Sequence, residues 1–70
     1  MVYKILLERL CNEAGKLGFG LQAVEGRKAL ASGSGIAIYR ACFSLRAALG
    51  NRIDKETLAI FRDTWGDINA

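Results

Sequence analysis

The side chains that could do chemistry are few in this chain, and their types narrow the choice. There is no histidine, so neither a Ser-His nor a Cys-His pair can form, and the commonest general base at neutral pH is missing. Cys11 and Cys42 are the only cysteines. Two cysteines without histidine cannot complete a structural zinc site, and both fall on or near apolar helical faces, where a buried, inert thiol is expected. The carboxylates Asp54 and Glu56, and Asp63 and Asp67, sit where helix capping and solvation explain them. The residues therefore point away from an enzyme and imply neither a cofactor nor a metal.

What remains is binding chemistry. Residues 26–53 hold five basic side chains, Arg27, Lys28, Arg40, Arg46 and Arg52, and no acidic one, with Glu25 and Asp54 on either side. Two partner classes fit. The first is protein. Tyr39, Arg40, Phe43 and Arg46 fall within one apolar helical segment, and aromatic side chains together with arginine are what interface hot spots are made of. The second is an anion. Ser34 and Gly35, in the run Ser32-Gly33-Ser34-Gly35, precede a helix start, where free N–H groups and the helix dipole favour negative charge, and Arg27 and Lys28 lie one or two turns upstream. This is not a phosphate-binding P-loop, because no lysine follows the glycines. An ordinary connector between two helices is the plainer explanation of the run.

Specific DNA recognition fits poorly. If 21–31 and 36–49 formed a helix–turn–helix, the reading helix would present Ala, Ile, Tyr, Cys and Phe, with only Arg40, Ser44 and Arg46 for base edges. If 54–65 were the reading helix, it would be acidic and would repel phosphate. Nucleic acid or a nucleotide stays as the alternative ligand, through the basic middle. Protein is the favoured partner.

The elements that position these residues can be read from periodicity. In 2–17, Tyr3, Leu6, Leu7, Leu10, Ala14 and Leu17 recur at the spacing of one helix face, and Gly18 is a natural C-terminal cap. In 35–49, Ile38, Cys42, Leu45 and Leu49 form one line. Ile36, Tyr39 and Phe43 widen it, so this helix is expected to be central. Ser34 is its expected N-cap and Gly50 its stop. Asp54 caps a fourth segment whose buried edge is expected to be Leu58, Phe61 and Trp65. The segment 19–31 is ambiguous. Leu21, Val24, Lys28 and Ala31 have helical spacing, but Gly26 costs a helix interior about 1 kcal/mol. Alternation of Phe19, Leu21 and Ala23 offers a hairpin with a turn at Glu25-Gly26 instead. The expected fold is all-α, a single domain over 1–70 made of three long helices and one short one, with 67–70 a frayed tail. The alternative is α+β with a hairpin at 19–31.

Size and composition set the remaining expectations. Seventy residues bury a modest core. Yet Ala, Val, Ile, Leu, Met, Phe, Trp, Cys and Gly together make up 42 of the 70 residues, about 60%. That exceeds the usual apolar share of about 45–50%, which argues for a buried interface and most simply a homodimer or higher homo-oligomer. No signal peptide or membrane span is visible, so a cytoplasmic protein with reduced cysteines is expected. The net charge of +3 is uneven, with a basic middle and an acidic C-terminal part that could pair between subunits. The function expected is a small regulatory or inhibitory binding protein. Phage-encoded modulators are often of this size, a prior that rests on length alone.

Overall fold

In the computed structural model residues 2–65 are described. The chain runs through α1 (Val2–Lys16), α2 (Gly20–Ser32), α3 (Gly35–Leu49), a 3-10 turn (Gly50–Arg52) and α4 (Lys55–Trp65). The protein is an all-α bundle with no strand among the described residues, so the hairpin at 19–31 does not form. The expected frayed tail at 67–70, and the side chain of Trp65, lie outside what is described.

α1 forms where the apolar spacing predicts it, and Leu6, Leu7, Leu10, Cys11 and Ala14 are fully buried. Its ends differ from the expected stripe: Tyr3 and Leu17 are 40% and 42% exposed. The helix closes with Gly18 at φ 87°. The Phe19 N–H donates to Ala14 O (2.8 Å) and the Gly18 N–H to Gly15 O (3.3 Å). This is the paired 6→1 and 5→2 bonding that a glycine in the left-handed region permits, and it turns the chain sharply into α2.

α2 is helical, but rotated from its expected orientation. Ala23 and Gly26 are its buried residues, with Phe19, Ala29 and Leu30 packed around the core. Leu21 is 81% exposed and Val24 50%, so the line of larger apolar residues faces outward. The reason is distance. α2 lies against both α1 and α3 at Gly26, where a methyl group would stand 2.5 Å from Cys11 Sγ, 3.0 Å from Leu45 Cδ1 and 3.5 Å from Leu7 Cδ1. Only a residue without Cβ fits that crossing. The glycine that weighs against a helix in isolation is what lets this helix pack.

α3 starts and stops as its residues dictate. Ser34 Oγ accepts from the Ala37 N–H at 3.3 Å, and the Gly50 N–H closes on Arg46 O. Ile38, Cys42, Leu45 and Leu49 are buried. However, α3 is not the central helix, since Ile36 and Tyr39 on it are 68% and 50% exposed. α1 holds the centre and packs against α2, α3 and α4. α4 lies on α1 and buries Phe61 and Thr57, with Leu58 and Ile60 half-buried.

Polar groups on α1 fix the start of α4. Glu13 Oε1 accepts from the Asp54 N–H at 2.7 Å, and Glu13 Oε2 accepts from the Thr57 hydroxyl. Arg9 Nε donates to Thr57 Oγ1 at 3.0 Å, and its Nη2 reaches Glu56 Oε2 at 3.2 Å. Asp54 caps the helix, accepting from the Glu56 N–H at 3.1 Å. The buried Thr57 hydroxyl is thus satisfied as donor and acceptor. Among the described residues no buried side-chain nitrogen or oxygen lacks a partner.

Candidate functional site

The four residues expected to meet a protein partner divide over two faces of α3. Tyr39, Phe43 and Arg46 follow one another at helical spacing on the flank that faces α4. The Tyr39 and Phe43 rings lie 4.8 Å apart, and Phe43 meets Phe61 of α4 edge-on at 5.1 Å. Arg46 sits 5.9 Å over the Phe61 ring and donates to Gly50 O at 3.4 Å. Phe43 and Arg46 are therefore half-buried and tie α3 to α4, while Tyr39 at the end of the row is half exposed. Arg40 stands apart on the outer face with Ile36, exposed and with no acidic partner among the described residues.

The residues expected to hold an anion are spread out. Arg27 leans onto α1 and donates to Asn12 Oδ1 at 3.1 Å. Lys28 points outward and pairs with Glu25 at 3.6 Å. The loop between α2 and α3 uses its own serines: Ser32 Oγ accepts from the Ser34 N–H at 3.2 Å, and Ser34 Oγ caps Ala37. Gly35 opens α3 beside them and is exposed.

Two concavities escaped the reading of the sequence. One, of about 530 Å³, lies between the C-terminal half of α1 and the start of α4, with Arg9, Asn12, Glu13, Lys16, Leu17, Arg52 and Asp54 around it. Its carboxylates are already engaged with Arg9 and the α4 N-terminus, whereas Lys16 and Arg52 have no acidic partner among the described residues. Arg52 rests 5.8 Å over the Phe19 ring. The other concavity, of about 250 Å³, is a groove between α2 and α3 floored by Gly26 and Leu45, with Ala41 and Ser44 on the α3 side and Leu21, Gln22 and Glu25 on the α2 side. Neither could be foreseen, because each joins residues fifteen or more positions apart and depends on the rotation of α2 or the approach of α4 to α1.

Cys11 and Cys42 are free thiols in the core. Burial pushes the Cys42 thiol up to about 12, with Cys11 nearby adding to the effect. Burial also raises Cys11, opposed by Arg27 and reinforced by Glu8. Thiolate is the reactive form, so both should resist alkylation in the folded protein and react once it is unfolded. Mass measurement is expected to find two modified thiols after denaturation without reductant, and few or none in native buffer at pH 8. A thiol with a raised pKa in the folded state holds its proton more tightly there than in the unfolded chain. The associated stability is full below the ordinary thiol value near 9.0 and is lost as pH climbs from there towards about 12. Denaturant midpoints should therefore fall above about pH 9, and less steeply in a Cys42→Ala variant.

Among the described residues no group of three His, Cys, Asp or Glu is placed to hold a metal ion, and no helix is long and apolar enough to cross a membrane. No protein-family model, curated protein or solved structure matches the chain.

Proposed function

We propose that this chain is a non-catalytic protein–protein interaction module, a small regulatory or inhibitory binding protein of the cytoplasm that works as an oligomer. One observation carries the reading. Around a sealed core, Leu21, Val24, Ile36 and Tyr39 stay 50–81% exposed on the two adjacent helices α2 and α3. Large apolar side chains left exposed on a small protein mark surfaces that a partner covers. Arg40, exposed beside Ile36 and Tyr39, supplies the polar element that hot spots combine with aromatic groups.

The alternative, a binder of an anionic ligand, is favoured by Lys16 and Arg52 at the larger concavity, since two cations without acidic partners leave a positive site there.

Capture of partners from native cytosol at low and high salt tests the choice. A protein retained at high salt and lost with Tyr39→Ala or Arg40→Ala supports the interaction module. Either change should weaken the complex by about 1–4 kcal/mol. Arg40→Ala, at an exposed position, should leave the melting curve unchanged, whereas Tyr39→Ala also removes the ring contact with Phe43 and is read against its own melting curve. Phe43→Ala is unsuitable as a probe, since Phe43 packs on Phe61 and its loss would damage the fold. Nucleic acid or nucleotide that is released by salt and is insensitive to Arg40→Ala would reverse the choice.

A further inference from the structure

The groove between α2 and α3 and the most exposed large apolar side chain among the described residues lie side by side, and we infer that the partner seated on this face is a second copy of the chain, with Leu21 of each copy entering the groove of the other across a twofold axis. The inference rests on the oligomeric reading above and specifies its surface.

Shape is the first argument. Leu21 stands at the groove's α2 edge with 81% of its surface in solvent. The groove beside it has an apolar floor of Gly26 and Leu45, and its α3 wall is kept low by Ala41 and Ser44. A projecting leucine next to a recess that suits an aliphatic side chain is self-complementary: a twofold rotation places each projection in the other recess, and the contact closes on itself as a dimer. Val24, one turn along α2 and half exposed, extends the apolar strip beside it.

Charge is the second argument, and it selects a second copy over an unrelated partner. Glu25 follows Leu21 by one turn and lines the same groove. Its bond to Lys28 joins two side chains that are each more than two-thirds exposed, a pairing that contributes little and is readily exchanged. On the α3 side Arg40 lies one turn before Ser44, exposed and without an acidic partner among the described residues. Seating Leu21 of one copy in the groove of the other brings its Glu25 to the rim where Arg40 of the second copy stands. The twofold makes that contact twice, and the same surface thus provides both members of each ion pair.

Sedimentation equilibrium of the full chain tests this with Leu21→Glu. The side chain is exposed, so helicity and melting of the monomer should be unchanged, while self-association should weaken tenfold or more. Ser44→Trp fills the groove from its other wall and should have the same effect. Glu25→Arg and Arg40→Glu should each weaken association, and the double exchange should restore it. A dimer as tight in Leu21→Glu and Ser44→Trp as in the unmodified protein would overturn the inference while leaving the oligomeric reading in place. An unmodified chain that sediments as a monomer throughout the micromolar range would overturn both.

Discussion

Replacing Gly26 by valine is expected to abolish the cooperative fold at room temperature, and replacing it by alanine to lower stability by about 1–2 kcal/mol. Propensity alone predicts the opposite sign, since alanine in a helix interior is favoured over glycine by about 1 kcal/mol. The surroundings decide it. The first carbon added at Gly26 meets Cys11 Sγ at 2.5 Å and Leu45 Cδ1 at 3.0 Å, inside a core where both residues are buried. A sulfur held on a short side chain within a helix has little room to move, so α2 must shift outward and open its contacts with both α1 and α3. Valine adds two more methyl groups to the same point. For a chain of seventy residues a total stability of roughly 4–10 kcal/mol is the expectation, and losing one of three packed helices removes most of it. Urea melts of the single and double variants check the cause. Cys11→Ala should be destabilising alone, yet in combination with Gly26→Ala it should cost less than the sum of the two changes, because the new methyl takes the space the sulfur leaves. Strict additivity would show that the contact with Cys11 is not what excludes a side chain at Gly26.

Glu13→Ala should lower stability by about 2–4 kcal/mol and loosen α4 before the rest of the molecule. The carboxylate serves two donors, the Asp54 N–H and the Thr57 hydroxyl. Bonds to a charged acceptor contribute more than neutral ones, about 1.5–3 kcal/mol each when partly sheltered. Thr57 is fully buried, so removing its acceptor leaves a desolvated hydroxyl without a full complement of bonds. α4 depends on α1 for its backbone packing, and Phe61 links it to Phe43 and Arg46 of α3. Glu13→Gln, which keeps the shape and one acceptor oxygen, should cost about half as much. Hydrogen exchange locates the effect: amides in the first turn of α4 should lose protection while those of α1 and α3 keep theirs. Uniform loss across all helices would mean that α4 does not open separately.

These two sites show where the chain could be read in advance and where it could not. α1 and α3 carry large apolar residues at helical spacing on the side that is buried, so periodicity finds both their type and most of their core. Their caps, Gly18, Ser34, Gly50 and Asp54, depend on local chemistry and were equally legible. α2 defeats the same method. It has apolar residues on both faces, and weighting by size selects Leu21 and Val24, whereas close packing selects the smallest residues, Ala23 and Gly26. The pairing of Glu13 with Thr57 spans forty-four positions, and in sequence Glu13 is only a charge on the wet side of a helix. The candidate surfaces follow the same division. Arg40 could be placed on the exposed side of α3 from its charge, whereas periodicity puts Tyr39 on the helix's apolar surface and it is half exposed. The groove beside Leu21 exists only because α2 presents its larger residues outward. Phe43 is expected on the apolar surface of α3 and Phe61 on the buried edge of α4, and the two pack together. That Arg46 joins them was beyond reach, since the approach of α4 is set by the α1 network.

The claim that the α2–α3 side is a covered surface is tested most directly by light scattering of the unmodified chain across the micromolar range. The expected mass is a multiple of the 7.6 kDa subunit, with a melting temperature that rises with concentration, as association with the native state requires. A single 7.6 kDa species whose melting is independent of concentration would contradict it.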